Sequence, residues 1–135
     1  MGLFDALNTS ASALTAQRLR MDVIASNLAN ANTTRTDKGE AYRREMVVFE
    51  SRPTDRPGGL PSRGVRVAGI LEDESPFRLV HDPEHPDANG DGYVAYPNVN
   101  PVTEMADMIS ATRSYEANVT VIQSLKSAAN KALEI

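Results

Sequence analysis

The segment Asp87-Ala88-Asn89-Gly90-Asp91-Gly92 sets three oxygen-bearing side chains at alternate positions ahead of a glycine. That is how a calcium loop begins, because hard cations take oxygen ligands from every second residue and the glycine permits the sharp turn. The twelfth position, where such a loop needs a bidentate glutamate, is Asn98, and Pro97 precedes it. The flanking segments also have the composition of strands. A turn between two strands, with Asn-Gly and Asp-Gly pairs tolerating positive φ, is therefore the stronger reading, and no metal ligand is assigned. His81 and His85 are four apart, but Pro83 interrupts any helix that would bring them together as a zinc pair. Arg43-Arg44 and Arg63 with Arg66 read as solvated strand faces. Carboxylates are plentiful, yet none stands in an acid-base constellation, and neither a phosphate-binding glycine loop nor a nucleophile elbow is present. The expectation is a protein with no catalytic residues and no cofactor.

Composition narrows the classes further. With 135 residues the chain suffices for one small domain or one extended unit. A formal charge of −4 supplies no field to attract nucleic acid, and aromatic residues at 5 %, with no Trp, supply no base-stacking platform. No cysteine is present, which removes disulfides, thiolate metal sites and thiol nucleophiles together. The opening Met1-Gly2-Leu3-Phe4-Asp5 lacks the basic and apolar segments of a cleaved signal, and Ala6 stands where a myristoylation motif needs Ser or Thr. No stretch reaches the roughly 18 apolar residues of a membrane span. No nucleic-acid partner and no direct membrane anchor are expected.

Two terminal segments carry the organisation. Leu3, Leu7, Leu14, Met21, Ile24 and Leu28 follow alternating steps of four and three, with Ser10 and Gln17 at the remaining seam positions. This is a heptad stripe on an alanine-rich helix of about 43 Å. Asn27, Asn30, Asn32, Thr33 and Thr34 then compete for backbone hydrogen bonds and end the helix near residue 32. At the other terminus, Asn100 is an N-cap ahead of Pro101, and Glu104 and Asp107 suit the positive end of the helix dipole. Met105, Met108, Thr112, Tyr115, Val119, Ile122, Ala129 and Leu133 continue with a similar spacing to the end.

Residues 33–99 hold seven of the eight prolines and every glycine but Gly2. Strands are predicted at Tyr42–Glu50, Val65–Leu71, Phe77–His81 and Tyr93–Tyr96, with 52–64 a Pro/Gly-rich loop or extended arm. The fold class is thus α+β: N-terminal (1–32) and C-terminal (100–135) helices packed as a coiled-coil hairpin, with a small β-rich middle region. Two helices of this length exceed what a middle part of some 65 residues covers, and apolar surface left over on such helices marks an interface. Leu3, Leu7, Leu14, Met21, Ile24, Leu28, Met105, Met108, Tyr115, Val119, Ile122 and Leu133 are therefore expected to form an assembly interface.

The run Ser12 to Thr33, centred on Asn27-Leu28-Ala29-Asn30, closely resembles the N-terminal signature of flagellar rod and hook proteins. Glu104-Met105-Ala106-Asp107-Met108-Ile109 and Arg113-Ser114-Tyr115-Glu116-Ala117-Asn118 are similar to the C-terminal pattern of the same family. The signature residues are Asn27, Leu28, Asn30, Asn32, Tyr115, Glu116 and Asn118. The resemblance extends from Leu3 to Ile135. It implies a structural subunit of the bacterial flagellar rod in the periplasmic part of the basal body, exported by the flagellar type III apparatus without a cleaved signal. It further implies homo-oligomeric contacts and contacts with other flagellar rod proteins and the rod-to-membrane-ring junction protein.

Overall fold

The computed structural model describes residues 2–53, 57–58 and 62–135. Six elements follow in order: α1 (Leu3–Ala29), β1 (Glu45–Pro53), β2 (Ser62–Glu72), β3 (Arg78–His81), β4 (Tyr93–Tyr96) and α2 (Pro101–Leu133). The α+β class and the antiparallel pair of terminal helices are as the sequence predicts.

Local chemistry sets the helix ends. The Asp5 carboxylate accepts the Gly2 amide at 3.3 Å, satisfying a donor that the first turn of α1 leaves open. At the other end the Asn30 side-chain amide donates to the Ser26 carbonyl at 2.9 Å, and Thr33 donates to Asn30 Oδ1 at 3.2 Å. The Ser26 carbonyl is shared by the backbone and side-chain amides of Asn30, and the Ala31 amide turns to the Leu28 carbonyl at 3.3 Å, so the i→i−4 ladder ends here. For α2, Asn100 Oδ1 accepts from the amides of Val102 (3.1 Å) and Thr103 (3.4 Å), with Pro101 at the first helical position.

The helices run antiparallel. Asn27 Nδ2 meets Glu104 Oε2 at 3.2 Å and the Thr112 hydroxyl meets Met21 Sδ at 3.6 Å. The paired residue numbers total 131 and 133, so the same register places Leu3 opposite residues 128–130. The last turn of α2 therefore projects past the start of α1.

The strands form two separate antiparallel pairs. In the first, β1 and β2 pair from Glu45 opposite Glu72 to Pro53 opposite Ser62, with irregularities at Val48/Phe49 and Ser51/Pro53. In the second, Arg78 lies opposite Tyr96 and His81 opposite Tyr93. The β1–β2 hairpin lies along α1, where the Ser12 hydroxyl accepts the Val65 amide at 3.1 Å. At this crossing Gly64 adopts φ +100°, and a Cβ there would sit 2.3 Å from Ser12 Oγ. A side chain is excluded both by conformation and by space.

Helix α1 is thus buried on two sides. At about 100° per residue, Ser12, Ala16, Leu19 and Val23 form a stripe nearly opposite Ser10, Gln17, Met21 and Ile24. The first faces the β1–β2 hairpin and the second faces α2. Seven-residue periodicity revealed the second stripe alone, because three members of the first are small or β-branched.

The strand boundaries differ from expectation in three places. β1 starts at Glu45 instead of Tyr42, because the Tyr42 amide bonds to the Thr33 carbonyl (3.0 Å) and its hydroxyl to Asn27 Oδ1 (2.9 Å). The predicted loop 52–64 is partly strand, since β1 continues to Pro53 and β2 begins at Ser62. Proline is tolerated there because the ladder has no third strand requiring its amide. The rest of that loop, 54–56 and 59–61, lies outside the described residues. Phe77, expected to open β3, lies outside the strand with the Arg43 guanidinium over its ring at 4.3 Å.

Candidate functional site

The end of the helix pair nearest the strands holds a buried polar clasp. Asn27 is 1 % exposed and uses its whole side-chain capacity. Its oxygen accepts the Glu45 amide (3.0 Å) and the Tyr42 hydroxyl (2.9 Å), while its nitrogen donates to the Glu45 carbonyl (2.9 Å) and to Glu104. Glu104, with no exposed surface, takes Arg44 Nε on its other oxygen. The same guanidinium reaches Asp73 and Asp107, each at 3.6 Å. The Arg44 amide donates to Asn98 Oδ1 at 2.8 Å, and the Asn98 amide nitrogen donates to the carbonyls of Asp73 (2.8 Å) and Ser75 (3.1 Å). One network thereby ties α1, the start of β1, the segment after β2 and the first turn of α2.

The electrostatics keep this clasp closed. Burial alone pulls the Arg44 guanidinium down, but Glu104, Asp73 and Asp107 outweigh it and leave its pKa raised. Asp73 is held below the usual carboxylate range by the Ser75 hydroxyl and amide, with Arg44 adding to the effect. Burial pushes the Tyr42 hydroxyl up, against the opposing hydrogen bond from Ser26. Each Glu104 oxygen has a partner inside the protein, Asn27 on one and Arg44 on the other, and the carboxylate has no surface open to solvent. The arrangement fixes geometry.

The other chemical candidates resolve into turns. Asp87 accepts the Thr34 hydroxyl at 2.6 Å and faces Arg35 at 3.9 Å, while Asn89 Oδ1 accepts the amides of Asp91 (3.0 Å) and Tyr93 (2.9 Å). His85 Nδ1 accepts the Asp87 amide at 3.0 Å, and His81 packs edge-on to Tyr93 with ring centroids 5.0 Å apart. Among the described residues no three His, Cys, Asp or Glu side chains are grouped to hold a metal ion.

The expected interface residues divide. Ile24 is buried, and Leu7, Leu14, Met21, Leu28, Met108, Tyr115, Val119 and Ile122 are half-buried. Leu3, at the free end of α1, is on the border of exposure. Met105 (55 % exposed) and Leu133 (85 %) face outward. The structure adds outward apolar residues that the heptads passed over: Phe4 (78 %), Val102 (75 %), Ile109 (55 %) and Val121 (45 %). Counting only one stripe per helix hid them; Val102, Met105 and Ile109 were visible as a second i, i+3, i+7 series.

Two family models match the chain, one described as flagella basal body rod protein over residues 7–35, the other as flagellar basal body rod FlgEFG protein C-terminal over residues 91–135. The clasp joins them, since Asn27 lies in the first and Glu104 in the second. Three relatives carry the name flagellar basal-body rod protein FlgC. That of Bacillus subtilis is 52 % identical over all of this chain and 99 % of its own length. Those of Borreliella burgdorferi and Salmonella typhimurium are 50 % and 42 % identical, each over all of this chain and 98 % of theirs. The chain belongs to the FlgC family of flagellar basal-body rod proteins. It is a structural subunit of the bacterial flagellar basal body.

Within this FlgC-family subunit the signature residues have different places. Asn27 is the centre of the clasp and Asn30 is the C-cap of α1. Leu28 and Tyr115 are half-buried, and Asn118 donates to the Ser114 carbonyl at 2.8 Å. Asn32 and Glu116 are exposed. The role of Glu104 in the clasp was missed because only its dipole effect at the helix start is visible in sequence; its partner Asn27 is 77 residues away.

Proposed function

We propose that this rod subunit builds the proximal rod, the segment that transmits torque, by covering the outward apolar residues of its helix pair with neighbouring subunits. The carrying observation is that Val102, Met105 and Ile109 stay exposed although α2 is already packed on α1. Surface of this kind on a helix lowers its free energy when a second apolar face removes it from water. Different patches on one body make contacts that are heterologous and propagate instead of closing. The neighbours are further copies, other rod proteins and the protein joining rod to membrane ring. The twelve heptad residues, Leu3 to Leu133, then act in two sets: the half-buried ones align the pair, and the outward ones with Ile109 and Val102 meet the neighbours.

Export and location follow the same logic. Passage through the flagellar type III apparatus to the periplasmic rod needs a chain that folds on arrival. A clasp whose partners are 77 residues apart closes only once both termini have emerged. The cysteine-free composition avoids cross-linking in an oxidising space. The domain divisions 1–32, 33–99 and 100–135 serve this scheme as inner helices and outer β region.

The test is Ile109→Asp combined with Met105→Asp, introduced into cells lacking the wild-type subunit. The account expects unchanged helical circular dichroism in the purified variant, no rod in isolated basal bodies and no swimming. Normal rods would overturn it.

A further inference from the structure

An open groove of about 710 Å³ lies where α1 meets the β1–β2 hairpin, on the side away from α2. Leu19, Val65, Val67 and Pro53 line it, Thr15 stands exposed at its edge, and Arg52 completes the rim. Arg66, also in the lining, is paired with Glu50, and among the described lining residues Arg52 is the other positive charge.

A complementary shape exists elsewhere on the same chain. The end of α2 runs past the start of α1, with Leu133 85 % exposed and Ile135 wholly exposed on either side of Glu134. Helix carbonyls at this end carry partial negative charge, to which Glu134 adds; Lys131 in the last turn offsets part of it. Two apolar side chains flanking an acid suit an apolar groove with an arginine at its rim.

This end cannot fill the groove of its own chain. Thr15 is twelve residues along α1 from Leu3, about 18 Å at 1.5 Å per residue. The groove also lies across α1 from α2. We infer that the carboxyl end of α2, residues Leu133 to Ile135, docks into the α1–hairpin groove of a second copy of this chain. The inference rests on the rod-subunit reading and adds to it a specific contact. Because groove and helix end are different surfaces at different heights on one body, each bound copy presents a free groove or a free end for the next.

The natural chain has no cysteine, so site-directed cross-linking reads the contact cleanly. Purified Thr15→Cys chain is mixed with purified Leu133→Cys chain and oxidised with glutathione disulfide. Both positions are exposed, so neither change disturbs the fold. The expected product is the mixed disulfide dimer, about tenfold over either same-site dimer, and Arg52→Glu in the Thr15→Cys chain lowers its yield several-fold. Absence of mixed-pair enrichment overturns the contact, whether the chain self-associates or remains monomeric. The rod-subunit reading is decided separately, by whether the wild-type chain restores rods to cells lacking it. Restored rods without the mixed dimer would sink the groove contact alone.

Discussion

The two ends of the helix pair are built on opposite principles. At the strand-proximal end Asn27 and Glu104 are buried, Arg44 is half-buried, and Glu104 joins the other two by hydrogen bonds that link α1, α2 and the residue before β1. At the free end Phe4, Leu133 and Ile135 stand in solvent. One end is locked within the subunit by polar groups that demand particular partners, although Val102, Met105 and Ile109 beside the clasp still face outward; the other end offers apolar surface, which accepts a range of partners. A subunit that meets non-identical neighbours gains from this division, since buried polar contacts fix a single geometry and apolar contacts tolerate several. The loss of either end should therefore have a different signature.

The largest effect is expected at the clasp. Glu104→Ala takes from Arg44 its nearest counter-charge and from Asn27 a partner, while Asp73 and Asp107 remain 3.6 Å from the guanidinium; the cost is about 3 kcal/mol, the upper end for a buried group deprived of its partner. Urea denaturation should show a lowered midpoint of that size and reduced helix content. Asn27→Ala strands the Glu45 amide and leaves the Tyr42 hydroxyl with Ser26 alone at 3.4 Å, at about 1 to 3 kcal/mol for a buried unsatisfied group, and the same denaturation experiment measures it. Gly64→Ala forces an L side chain into φ +100° against Ser12 and should cost about 1 to 3 kcal/mol. Its near-ultraviolet spectrum or amide shifts should report the hairpin leaving α1, with the α1–α2 contact retained.

Acid titration affects the clasp end without mutation. The folded-state pKa of Asp73 is depressed below 3.8, so its contribution is present above that pH and is lost as the pH falls further. Thermal melts should fall on acidification below about 4, and Asp73→Asn should flatten that part of the profile. Smallest in stability is Ile109→Asp with Met105→Asp at the outer face, expected within about 0.5 kcal/mol of wild type. The same pair abolishes rods, which separates assembly from folding.

Legibility in sequence followed the range of the interactions. Asn100-Pro101 marked the start of α2 because capping is settled within three residues. The stripe Leu7 to Ile24 was visible because α1 meets α2 over a continuous seam. Hidden were the second stripe of α1 and the strand nature of Arg52-Pro53, both set by a hairpin that approaches α1 from far along the chain. Hidden too was the clasp, for a lone Glu in a first turn looks the same whether it tempers a dipole or holds an arginine. Asn27 stood out as a helix-ending residue and through family resemblance, but its four hydrogen bonds, made from within α1 to residues far along the chain, show its role in the clasp.

Hydrogen exchange resolved along α2, compared between the purified subunit and isolated rods, addresses the difference between the ends directly. Amides around Glu104 to Thr112 should already be protected in the free subunit, while those from about Leu125 to Leu133 should gain protection only in the rod. Equal protection of both stretches in the free subunit, unchanged on assembly, would contradict the claim that neighbours complete the outer end.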